Sequence, residues 1–191
     1  MIKDKMIKDK ILQGIAVGLL ADAVKLTINF MSFLLGYTDV VFWQITASRF
    51  LAKEYLFGTP ALIVGAVADI TVSAGLGVAF VYFIYIFGNR DLWIKGIGFG
   101  LFVWVVLFGS LLGQSVAAKI PQNVSGIFVT IVAHFGYGFA LAFFTKLVCR
   151  TEQEKVPNQG IARFKPLPVS KKILIKKNDE EKNIILKKSK K

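Results

Sequence analysis

The stretch Gly18-Leu-Leu-Ala-Asp-Ala-Val-Lys-Leu-Thr-Ile-Asn29 is greasy enough for the interior of a bilayer, yet it carries an aspartate, a lysine and an asparagine. Asp22, Lys25 and Asn29 are spaced three and four apart, which puts all three on one face of a helix and lets Asp22 and Lys25 pair. The apolar run around them extends from Ile11 to Leu35. That exceeds the roughly 20 residues needed to cross the hydrocarbon of a membrane. The local frame recurs in a second apolar run as Gly65-Ala-Val-Ala-Asp69. Two acids in matching surroundings either carry function or hold helices together.

Working outward, three more stretches pass the same length test: 61–87, 96–116 and 124–148. Each must be helical, because a lone segment inside lipid has to satisfy its own backbone hydrogen bonds. Composition agrees: 54% of the 191 residues are hydrophobic and mean hydropathy is +0.58, more than a soluble core of this size requires. The expected fold is therefore all-α, an integral membrane bundle of four transmembrane helices. A basic leader occupies 1–10, an exact tandem repeat of Met-Ile-Lys-Asp-Lys, and a basic tail occupies 151–191. The segment 36–59 shows no clean polar face on a helical wheel. It is expected at the outer interface or packed on the bundle, ended by Gly58-Thr-Pro60, with proline at a tolerated first-turn position.

Charge placement sets orientation, since cytoplasmic loops carry the excess of Lys and Arg. The leader has four lysines, the second loop has Arg90 and Lys95, and the C-terminal side has Lys146, Arg150 and twelve cations after residue 150; the opposite face has Arg49, Lys53 and Lys119. Both termini are expected in the cytoplasm. The net charge of +12 is concentrated in the tail, where Lys171, Lys172, Lys176, Lys177, Lys187 and Lys188 flank apolar triplets, a pattern suited to anionic lipid headgroups or to a solvated disordered segment. No nucleic-acid module precedes it. Ala21-Asp22-Ala23 imitates the small-x-small site of a cleaved signal peptide, but apolar residues continue through Phe33 to Leu35.

Further polar groups lie within the spans. Gly65, Asp69, Ser73 and Gly77 recur every four residues, as do Gly126, Thr130, His134, Gly138 and Ala142. Such stripes allow close approach and hydrogen bonds between membrane helices, and Gly96 with Gly100 and Gly109 with Gly113 form further small-x-x-x-small pairs. Asp22, Asp69 and His134 all fall near the midplane, where a charge costs roughly 2.5 to 3.5 kcal/mol on insertion scales. They should face the interior, as a cluster of Asp22, Lys25, Asp69 and His134 surrounded by Asn29, Ser73 and Thr130. The cluster is either a polar network fixing helix register or a proton or cation relay.

Soluble-enzyme chemistry has little support. HExxH, P-loop and Gly-x-Ser-x-Gly motifs are lacking, and Gly96-Ile-Gly-Phe-Gly100 lacks the strand a dinucleotide fingerprint needs. One histidine and one cysteine, Cys149, leave no multi-histidine metal site and no internal disulfide. The sequence thus implies no enzyme, no cofactor and no metal. Partners are the bilayer, anionic lipid through the tail, and a second copy or another membrane protein.

The pattern Lys95-Gly96 opening the third span, Trp104 inside it, and His134-Phe-Gly-Tyr137-Gly138 in the fourth resembles a group of small four-helix membrane proteins of low-GC Gram-positive bacteria, of the YqhR-like sort. The resemblance covers residues 11–148 and implies a bacterial cytoplasmic-membrane location and no reaction. Asp69, where such relatives more often carry a histidine, and the basic tail depart from that pattern. The expected function is a non-enzymatic scaffold or partner subunit, with a small oligomeric ion- or proton-coupled transporter or channel as the alternative.

Overall fold

The computed structural model describes residues 9–153. The first eight residues, the tail lysines named above and the side chain of Cys149 lie outside the described residues. Six α-helices follow in order: α1 (Lys10–Leu34), α2 (Phe42–Ala47), α3 (Thr59–Phe87), α4 (Leu92–Val106), α5 (Gly113–Lys119) and α6 (Val124–Gln153). A π-helical stretch, Leu107–Leu112, joins α4 to α5, so that Leu92–Lys119 is one long helix. Four helices are long and apolar enough to cross a membrane, and no strand occurs among the described residues. The protein is an all-helical, multi-pass membrane protein.

Helix boundaries reflect local chemistry. The side chain of Asp9 caps α1 by accepting from the backbone N–H of Ile11 at 2.8 Å, satisfying one of the donors a helix start leaves open. α1 then runs without a break through Ala21-Asp22-Ala23. Pro60 sits in the first turn of α3, where its missing N–H costs nothing. The third span starts at Leu92 rather than Gly96, because Lys95 does not have to leave the helix: its ammonium reaches back to the carbonyls of Phe87 and Gly88 at 3.0 and 2.9 Å. At the far end Lys119 does the same with the carbonyls of Ser48 and Leu51, both at 2.8 Å. Long cationic side chains thus carry their charge away from the helix they stand on, and hydropathy alone draws the span too short.

The helices pack as a row in the order α3, α1, α6, α4, with neighbours antiparallel. Two glycine crossings hold that row together. Gly18 of α1 lies against the backbone of Ser73 and Gly77 of α3, and Gly96 and Gly100 of α4 lie against Gly138 of α6; a Cβ at any of these would collide with main-chain atoms. Backbones this close bring many atoms into van der Waals contact, which replaces the hydrophobic drive absent between helices in lipid. The pair Gly109 and Gly113 does not take part. Gly109 meets nothing within 4 Å, and Gly113 abuts the Phe108 carbonyl of its own helix, the signature of the widened π turn.

Because the row is open, α3 and α4 touch little. At the end where α3 finishes, Phe80 and Phe83 meet Phe99 at ring distances of 5.2 and 6.4 Å, packed on an apolar core of Val17, Ile84, Tyr137 and Leu141. At the other end the segment between α1 and α3 folds inward. α2 rests on Gly65, where the Trp43 carbonyl occupies the space a Cβ would need; six residues of helix place this contact about 9 Å below Thr59. Backbone at that depth requires protein partners, and it has them. Asn29 Oδ1 accepts from the Phe42 N–H at 2.7 Å and Gln44 Oε1 accepts from the Val41 N–H at 3.0 Å; nearer the surface, the Ser125 hydroxyl donates to the Tyr37 carbonyl.

Candidate functional site

The charged residues of α1 and α3 meet where those helices face each other. Lys25 Nζ lies 2.7 Å from Asp22 Oδ1 and 2.6 Å from Asp69 Oδ1, with all three side chains no more than 5% exposed. The Ser73 hydroxyl donates to Asp22 Oδ1 at 2.8 Å. An ammonium has three N–H donors. One donates to Asp69 Oδ1, Asp22 Oδ1 lies within ion-pair distance, and the charge also lies 4.1 Å from the centre of the Phe42 ring, whose negative face suits it. One lysine therefore bridges two helices and is covered by the re-entrant segment. The second oxygen of Asp69, Oδ2, and the indole Nε1 of Trp43 are each buried without a hydrogen bond of normal geometry, and the indole is near enough to Asp69 to interact with it.

Of the other polar residues on this face, each takes a different local role. Asn29 is buried and holds the start of α2, as described. Its orientation follows from that bond, since only the amide oxygen can accept from an N–H. The Thr130 hydroxyl donates to the Ile127 carbonyl at 2.7 Å and accepts from Trp104 Nε1 at 3.0 Å, tying α6 to α4. His134 is 1% exposed. Its Nδ1 lies 2.8 Å from the Thr130 carbonyl one turn back, and its ring is packed between Phe42 and Phe108 at 5.7 and 5.6 Å. The seven residues thus lie along one interior, but the bonded core is Asp22, Lys25, Asp69 and Ser73. His134 and Thr130 are joined to each other and to α4 rather than to the carboxylates.

Three aromatic residues belong to this interior that a search for polar groups passes over: Phe42 over Lys25, Trp43 beside Asp69, and Tyr137, whose hydroxyl makes a long 3.5 Å contact with the Ser73 carbonyl. Only the repeated Gly-x-x-x spacing that runs through Gly138 hinted at a contact near Tyr137.

A cavity of about 270 Å³ opens between α3 and α4, where the row of helices leaves a gap. Its floor includes Lys25, Asp69, His134 and Tyr137, its walls are Val72 on one side and Leu107 and Leu111 on the other, and Arg49 and Phe50 stand at its rim. Among the described residues no group of three or more His, Cys, Asp or Glu could hold a metal ion. No protein-family model, curated protein or solved structure matches the chain.

Proposed function

We propose that this multi-pass membrane protein is a non-enzymatic scaffold or partner subunit of a bacterial cytoplasmic membrane, with both termini in the cytoplasm. One observation carries the reading: Lys25 pairs with Asp22 and Asp69 at once, inside a bundle whose next layer is Val17, Phe80, Ile84, Tyr137 and Leu141. A lysine shared by two carboxylates above an apolar layer holds α1 to α3. A relay needs a wet route on both sides of the titrating groups.

The outward faces support the partner role. Gly75 on α3, Gly98 on α4 and Gly109 in the π-helical stretch face away from the bundle with no neighbouring atom within 4 Å, so a second helix could approach them closely. The resemblance of residues 11–148 to YqhR-like proteins supports the location, and the distribution of Lys and Arg supports the orientation.

Reconstituted liposomes separate the scaffold from the transporter. With the folded protein in the bilayer, proton and potassium fluxes should equal those of empty vesicles; a flux abolished by Asp69→Asn in a protein that stays folded would establish a relay instead. Crosslinking in native membranes should then trap a different membrane protein, whereas self-oligomers alone would favour a pore assembled from copies.

A further inference from the structure

The cavity between α3 and α4 has three features that a gap left by imperfect packing would not combine. Its wall on the α4 side includes Leu107, Leu111 and Leu112, that is, the π-helical stretch itself. π turns are rare and concentrate at functional sites, because the extra residue per turn re-aims the side chains beside it. Here the widened turn carries Phe108 onto Phe42 and His134, at the inner end of the same space.

Second, the rim carries a cation that is unpaired among the described residues. The Arg49 side chain is exposed, lines the cavity, and makes neither an ion pair nor a hydrogen bond with any described residue. Its neighbours contrast with it. Lys25 is held by two carboxylates, and Lys119 by the carbonyls of Ser48 and Leu51, on either side of Arg49. Lys119 thereby fixes the backbone that presents Arg49. A guanidinium offers a rigid fork of donors that matches carboxylate or phosphate in two parallel bonds.

Third, the walls are aliphatic, and Val72 and Leu111, on opposite sides, are 43% and 55% exposed toward the surroundings of the bundle. The opening therefore faces lipid. A volume of about 270 Å³ lies just under the roughly 300 Å³ at which small-ligand pockets begin. That space takes part of one hydrocarbon chain and excludes a whole two-chain lipid.

We propose that this cavity is a binding site for an anionic membrane amphiphile, which lays one hydrocarbon chain between α3 and α4 and sets its phosphate or carboxylate on Arg49. The head carries the specificity, and the chain supplies buried apolar area. The ammonium of Lys25 takes no part, since its carboxylate partners already hold it.

Delipidated protein in neutral detergent, examined by native mass spectrometry, tests the site. The probes are dioleoylphosphatidylglycerol, dioleoylphosphatidylcholine of the same chains, and oleate. The protein should retain the phosphatidylglycerol or the oleate in preference to the phosphatidylcholine, and the anion retained identifies the source of the head. Arg49→Gln should lower that retention about tenfold, the usual size of a lost hydrogen bond to a charged group, and bring it to the phosphatidylcholine level. Val72→Trp, which fills the cavity from α3, should abolish retention with Arg49 intact; Leu111→Trp fills it from the opposite wall and covers the case in which the first variant misfolds. Equal retention of all three probes, an anion preference that survives Arg49→Gln, or binding unchanged in a folded cavity-filling variant would each overturn the proposal.

Discussion

At the scale of single residues, the interior is organised by Lys25. A buried ion pair is weak evidence of net stabilisation, but removing one partner is costly because the other charge is left behind. Lys25→Met should accordingly destabilise the bundle by about 3 to 5 kcal/mol, since it strands two carboxylates, each at most 5% exposed. The triple variant Asp22→Asn, Lys25→Met, Asp69→Asn leaves no charge and should recover most of that loss. Unfolding in detergent followed by circular dichroism measures both, and a triple variant no more stable than the single one would show that the charges are not the term that matters. Asn29 gives a narrower test of the same interior. Asn29→Leu leaves the Phe42 N–H without its acceptor at depth, a loss of about 1 to 3 kcal/mol.

At the scale of elements, the contrast is between glycines that meet a backbone and glycines that meet nothing. Gly18→Val or Gly138→Val puts side-chain atoms where Ser73 and Gly77, or Gly96 and Ile97, already have main chain; either should separate its helix pair and abolish folding as read by gel filtration and protease resistance. Gly75→Ala and Gly98→Ala add a methyl in open space and should be neutral or stabilising by about 0.5 to 1 kcal/mol, the ordinary helix preference of alanine. If the outward pair proved as damaging as the inward pair, the crossings would be misplaced. Much of this was legible in the sequence, and the reasons differ between elements. The face of Asp22, Lys25 and Asn29 showed because charges inside an apolar run have nowhere to go but inward, and three- and four-residue spacing fixes which side that is. The meeting of Asp69, Ser73 and Gly77 with α1 showed for the same reason, whereas Gly65 on the same stripe meets Trp43 of α2 instead. α2 left no such trace. It is buried at Phe42, Ile45, Thr46 and Ala47, on more than one side, so no polar stripe marks it. The π stretch was equally silent, for Leu107-Phe-Gly-Ser-Leu-Leu112 reads as ordinary span, and its second glycine pair looked like a crossing until the turn proved to use Gly113 for itself.

At the scale of the whole molecule, the order α3, α1, α6, α4 explains how one chain can be both locked and open. α1 and α6 have neighbouring spans on two sides and supply Asp22, Lys25 and the histidine, while α3, which adds Asp69 to the bridge, and α4 each have one principal neighbour among the spans and leave the gap that the re-entrant segment roofs. That segment also makes the topology testable without disturbing the fold. Asp39, in the connection roofing the bundle, and Arg90, in the short connection between α3 and α4, are both exposed and lie at opposite ends of α3. With the termini cytoplasmic, Asp39 faces outward and Arg90 inward. In a Cys149→Ser background, a membrane-impermeant maleimide applied to intact cells should label Asp39→Cys and spare Arg90→Cys, and permeabilisation should make both react. Labelling of Arg90→Cys alone would invert the orientation. Labelling of both in sealed cells would mean that the two connections share a face, so that α3 does not cross; the depth assigned to Lys25, Asp69 and α2 would then fail together, because all of it is measured along that helix.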